Sequence, residues 1–210
     1  DPELSRGLGD VYKRQLLDPY FSATKIKWIL DNVKNARRKA ENGELCFGTI
    51  ETYLIWNLTE EKNHKTDATN ASRTMLMNLE TLGWDDSLLE IFGIPKNILP
   101  EICSCDDNFG SIGACDQNFP VTGVIGDQQS ALFGQNCFEF GEMKSTYGTG
   151  CFLMVNTKEK IYESQARLLS TVGCMLGKSV SYALEGSIFS AGTSIQWLRD
   201  EMQFLSLIHI

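Results

Sequence analysis

Residues 121–135 read VTGVIGDQQSALFGQ: an apolar run stops at Gly126, meets Asp127 and gives way at once to an apolar pattern with helical spacing. This handover predicts a strand over 121–125 and a helix from about 127 to 135, the unit from which α/β proteins are built. The carboxylate at the junction has two readings. As a helix cap it accepts an N–H from the first turn. As a general base it sits where the strands of open α/β sheets present ligands, at their carboxyl ends. Taken alone, the stretch favours the cap.

The other segments support the α/β class. Ile26, Ile29, Leu30 and Val33 follow helical spacing, predicting one helix over 22–40 with Ser22 as cap and Gly43 as its end. A second short helix is expected over 48–59, capped by Thr49. The polar stretch 60–72 reads as loop. Asp85 or Asp86 opens a helix through Phe92, stopped by Gly93 and Pro95. Residues 104–119 are turn-rich, 141–157 form a hairpin, 179–186 a strand and 187–202 a helix.

Charge and rare residues exclude several classes of function. The net charge of −8 disfavours a nucleic-acid or anionic-membrane partner. No apolar run approaches the roughly 18 residues of a membrane span. Seven cysteines lie scattered, and the Cys103–Cys105 pair lacks zinc spacing, so free thiols in a reducing cytoplasmic compartment are expected. With only His64 and His209 present, acid–base chemistry falls to carboxylates.

Further candidates accompany Asp127. In STYGTG (145–150) the small residues let backbone N–H groups approach a phosphate, with Thr146 or Thr149 donating a hydroxyl; a plain hairpin turn is the alternative. AGTSIQW (191–197) places a glycine by a helix, with Gln196 free to hydrogen-bond. Tyr20 and Phe21 precede a helix, where aromatic residues ordinarily pack as a staple. Asn70 and Arg73 lie in TNASRT, as site residues or as turn and surface groups.

In order, PYFSATKIKWILDN, FGTIETYLIWNLT, TDATNASRTML, GDQQSALFGQ, STYGTGCF and YALEGSIFSAGTSIQWLRDEM resemble the FGGY carbohydrate kinases, especially their glycerol-phosphorylating members, over nearly all of 16–204. The resemblance implies an α/β, ribonuclease-H-like or actin-like ATPase fold, here incomplete and comprising parts of two domains. It implies transfer of the ATP γ-phosphoryl group to glycerol, with Mg2+ required. Residue by residue, Asp127 matches the catalytic base, with Tyr20, Gln128 and Phe152 beside it at the polyol. Thr149, Gly192 and Gln196 match nucleotide-binding positions. Metal ligands are left unassigned. Glycerol and ATP are the implied partners, and self-association of the parent protein stays open. Another FGGY sugar or polyol kinase, or a non-catalytic actin-like nucleotide binder, are the alternatives.

Residues 1–15 and 205–210 fit no neighbouring pattern and resemble translated adapter sequence, so both are expected to be non-native tails. The expected division assigns 16–138 to the latter part of the family's N-terminal domain and 139–204 to the start of its C-terminal domain. First-domain phosphate and polyol motifs and the adenine-site loop find no match here, so the polypeptide itself is expected to be an inactive fragment.

Overall fold

The structure, a computed structural model, describes residues 20–114, 117–166 and 168–205. Both expected tails lie outside these residues except for Leu205. The fold begins with two helices, α1 (Ser22–Asn32) and α2 (Ala36–Glu41). The single helix expected over 22–40 is therefore broken. Val33 is extended and Asn35 is left-handed at φ 64°, a conformation that asparagine tolerates well. The break turns Ala36 and Ala40 into the same core as Phe21, Ile26 and Leu30. Ser22 is not the cap; Phe21 occupies that position, and the first-turn N–H of Ala23 is satisfied by the carbonyl of Thr74 at 2.9 Å. Gly43, at φ +74°, follows α2 as expected.

α3 (Ile50–Leu58) has Thr49 at its N-cap position, although the Thr49 hydroxyl donates to Glu51 rather than capping the helix. The 60–72 stretch corrects the loop expectation. It contains β1 (Lys65–Asp67) and α4 (Ala68–Ala71), and β1 pairs in parallel with β4 (Glu101–Cys103). Its polar residues Thr66, Asp67 and Thr69 are buried: Thr66 donates to Glu51 at 2.7 Å, and Thr69 and Asn70 satisfy Asp67. Between these strands, β2 (Met77–Asn78) pairs with β3 (Gly83–Trp84). α5 (Asp86–Phe92) then opens under Asp85, which accepts from the Ser87 and Leu88 N–H groups, and closes on left-handed Gly93.

β5 (Ser111–Ala114) and β6 (Gln117–Pro120) form a hairpin within the turn-rich stretch. The strand expected over 121–125 does not form. That segment is held by isolated bonds to the preceding loop, Val121 N–H to Gly110 O at 2.7 Å and Val124 N–H to Cys105 O at 2.9 Å. The following helix, α6 (Asp127–Gly134), is present.

The remaining strands are β7 (Met143–Tyr147), β8 (Cys151–Lys158), β9 (Leu169–Leu176) and β10 (Ser179–Ile188). They form an antiparallel sheet ordered β7-β8-β10-β9. The β7–β8 hairpin was expected, and β10 extends two residues past its expected end. α7 (Gly192–Asp200) is correspondingly shorter than the helix expected over 187–202. Met154, Ala183, Leu132 and Cys137 make one small core between the sheet and α6. Ser72 on the α4 side meets Thr171 of β9 at 2.7 Å, so α4 and α6 share this face.

Candidate functional site

Asp127 is set in place from below. Asp67 is fully buried at the end of β1 and accepts the Thr69 N–H at 2.8 Å and the Asn70 amide at 2.6 Å. Burial pushes its carboxyl above the usual range, and these hydrogen bonds oppose that shift. The Thr69 hydroxyl donates to Asp67 and accepts the N–H of Gly126 at 2.8 Å. Gln129, also buried, donates to Val172 O at 3.3 Å and so fastens the first turn of α6 to β9. Gly126 therefore takes the N-cap position, which corrects the cap reading of Asp127: its carboxylate is exposed on the first helical residue. A Cβ at Gly126 would lie 2.6 Å from Gln129 Oε1, so the glycine permits this close approach.

The β7–β8 hairpin lies against the same helix start. Lys144 is 1% exposed, and its ammonium donates to Gln128 Oε1 and, at 2.9 Å, to the Thr146 hydroxyl. Burial pulls this lysine below its ordinary range, while the charges of Glu185 and Asp127 pull it back. Cross-strand register places Thr146 opposite Phe152, and Lys144 opposite Met154, which in turn faces Glu185. Paired residues of an antiparallel ladder share a face, so Phe152 stands on the side that Gln128 reaches.

At its tip the hairpin meets α7 backbone to backbone. Ala191 N–H bonds Thr149 O at 2.9 Å and Gly192 N–H bonds Gly148 O at 3.0 Å. A Cβ at Gly192 would lie 2.4 Å from Gly148 O, so only glycine fits. Thr149 is exposed there, and Gln196 is exposed one turn along α7.

Tyr20 joins this assembly through Arg73. The Arg73 guanidinium lies 5.2 Å from the Tyr20 ring centre and 5.0 Å from that of Phe21, and donates to Glu185 Oε1 at 2.8 Å. Phe21 is buried as a staple residue should be, whereas Tyr20 is half exposed. Arg73 is thus no surface pair, and Asn70 serves Asp67. Among the described residues no cluster of three His, Cys, Asp or Glu side chains forms a metal cage. No helix there is long and apolar enough to cross a membrane.

Residues 10–134 match the sequence model of the FGGY family of carbohydrate kinases, N-terminal domain, and residues 143–209 match that of the C-terminal domain. The chain belongs to the FGGY family of carbohydrate kinases. The glycerol kinases of Fusobacterium nucleatum and Alteromonas mediterranea are each 57% identical to this FGGY chain, over 91% and 90% of it. The chain spans 39% of the length of either relative. The crystal structure of Plasmodium falciparum glycerol kinase with ADP superposes with a TM-score of 0.85 at 41% identity, covering 96% of this chain and 42% of that one. A ligand-bound xylulose kinase from Lactobacillus acidophilus, at 20% identity and a TM-score of 0.73, shares the fold. These neighbours and the mixed α/β architecture bear out the expected ribonuclease-H-like, actin-like fold, of which this FGGY chain holds part.

Sequence reasoning missed Asp67, Thr69, Lys144 and Glu185. Its signals were available in this FGGY chain: Asp-x-Thr is a capping pattern, and Lys144 and Glu185 each interrupt a strand segment with a charge.

Proposed function

We propose that this chain is part of a kinase that transfers the γ-phosphoryl group of ATP to a terminal hydroxyl of glycerol. The observation that carries this reading is the junction of α6 with the β7–β8 hairpin. There an exposed carboxylate, an oriented carboxamide and an aromatic side chain adjoin a glycine turn seated on a helix start. The high identity to glycerol kinases over most of the chain supports glycerol as the acceptor. Within the proposal, residues 16–138 are the latter part of the N-terminal domain and 139–204 the start of the C-terminal one.

Asp127 acts as the base. Carboxylates are weak bases in water, but phosphoryl transfer asks this one only to orient the hydroxyl and accept its proton as the oxygen–phosphorus bond forms. Gln128 hydrogen-bonds the polyol, while Tyr20 and Phe152 cover its carbon backbone. Thr149 receives the nucleotide phosphates through its hydroxyl, and Gly192 lets the hairpin tip seat on the start of α7 beside them. Gln196 adds a contact further along α7. Mg2+ typically binds through one or two carboxylates plus substrate phosphates. Bound chiefly through the substrate phosphates, the ion would neutralise their charge. The six described cysteines are free thiols, which suits a cytoplasmic, ATP-using enzyme.

The test grafts residues 20–205 into a full-length relative and assays ATP-dependent phosphorylation of glycerol, other polyols, pentuloses and hexuloses. Glycerol is expected to be the preferred acceptor, and the 210-residue polypeptide alone is expected to give no product. Preference for a ketose would replace this reading with another FGGY kinase. ATP binding without turnover on any acceptor would favour a non-catalytic relative.

A further inference from the structure

A buried lysine, a partly buried arginine and a buried glutamate have no role in the chemistry above. Lys144 and Glu185 are each 1% exposed; Glu185 accepts from Arg73 at 2.8 Å, and cross-strand register sets Lys144 on the same sheet face with Met154 between them. A buried charge is costly unless polar partners satisfy it. Here the partners include two groups assigned to the polyol: Tyr20 lies against Arg73, and Gln128 accepts from Lys144.

An ammonium only donates, so the group of Gln128 facing Lys144 must be its carbonyl oxygen. The amide nitrogen is then turned toward Asp127, 3.5 Å from Oδ2. Asp127 presents an acceptor and Gln128 presents donors, side by side. Without the ammonium, the carboxamide is free to flip and set its oxygen beside the carboxylate, where two acceptors cannot serve one hydroxyl in the same way.

We propose that Lys144 is a positioning residue of the polyol site, fixing the Gln128 carboxamide so that its N–H groups face the substrate beside Asp127. Thr146 takes a second of the ammonium's donors, and Glu185 lies on the same sheet face beyond Met154. This rests on the reading of Gln128 as a polyol ligand.

The experiment is a double-mutant cycle in the full-length graft, with Lys144→Met, Gln128→Ala and the pair. Lys144→Met is expected to raise KM for glycerol about tenfold while the ATP KM stays within about twofold, as for loss of one oriented hydrogen bond. In the Gln128→Ala background the same change should leave the glycerol KM unmoved, because its means of action is gone. Lys144→Arg should restore most of the affinity. A purely structural lysine would lower Tm and active fraction in both backgrounds without moving KM, and that result, or full additivity, overturns the inference. If Lys144→Met does not fold, the Lys144 Nζ resonance is followed by nitrogen NMR. Gln128→Ala should shift it, and an unmoved signal overturns the proposal. A wild-type graft that ignores glycerol overturns the functional reading and this inference together; an active one with unmoved KM in Lys144→Met overturns the inference alone.

Discussion

Cys103 illustrates how burial at a single residue becomes a pH dependence. It closes β4 with its side chain inside the core beside Ile55 and Phe109, and burial pushes its thiol from 9.0 up to about 11. Between about pH 9 and about pH 11 the unfolded chain has released this proton while the folded chain retains it, so stability falls as pH rises. Below that window the contribution is constant. Lys144, lowered by burial, contributes with the opposite sign, so comparison with Cys103→Ala isolates the thiol. The variant is expected to lose less stability across the window in urea unfolding, and parallel curves for the two proteins would contradict this. The thiol character of Cys103 was legible in the sequence, its burial only partly so. Asp67 was misread for a related reason: its polar neighbours satisfy one another inside the fold, and composition cannot distinguish a solvated stretch from a buried network.

Among the elements, α3 leaves much of its apolar surface uncovered. Ile50, Tyr53, Leu54 and Leu58 are 71%, 63%, 46% and 52% exposed, and a cleft of about 370 Å³ opens beside it, lined by Phe47, Tyr53, Trp56 and His64. Among the described residues the adjoining β1–β4 pair is parallel and two strands wide, whereas parallel strands ordinarily lie in larger sheets with helices on both faces. An apolar patch of this kind promotes association. Replacing Tyr53 with Lys and Leu54 with Glu is therefore expected to reduce light scattering by the 210-residue chain, at a cost to stability within about 0.5 kcal/mol. Undiminished scattering would show that association starts elsewhere. Helix α3 was predictable, because Thr49 and its apolar residues mark it, but what covers each face was not, since those residues surround the axis. The break between α1 and α2 escaped prediction because it depends on one left-handed asparagine, and the absent strand at 121–125 because a ladder requires a partner that no local pattern reveals.

Across the whole molecule, the site is built by contacts distant in sequence. Tyr182 donates to Leu79 O at 2.7 Å, Cys105 N–H bonds Met175 O at 2.7 Å, and Arg73 reaches Glu185. These contacts bring the segment carrying Asp127 against the hairpin carrying Thr149 and Phe152. The local motifs GDQQ, STYGTG and AGTSIQW were legible as separate candidates, and their ordered resemblance joined them. Lys144 and Glu185 stayed hidden because their role appears only when β7, β8 and β10 align. In the proposed reading this assembly presents Asp127 as the base in phosphoryl transfer to glycerol. The most direct test of that role is Asp127→Asn in the full-length graft, followed by the rate of glycerol 3-phosphate formation and by nucleotide affinity. A fall in kcat of about 10²–10⁴-fold is expected, with ATP affinity nearly unchanged. Turnover close to that of the unsubstituted graft would contradict it.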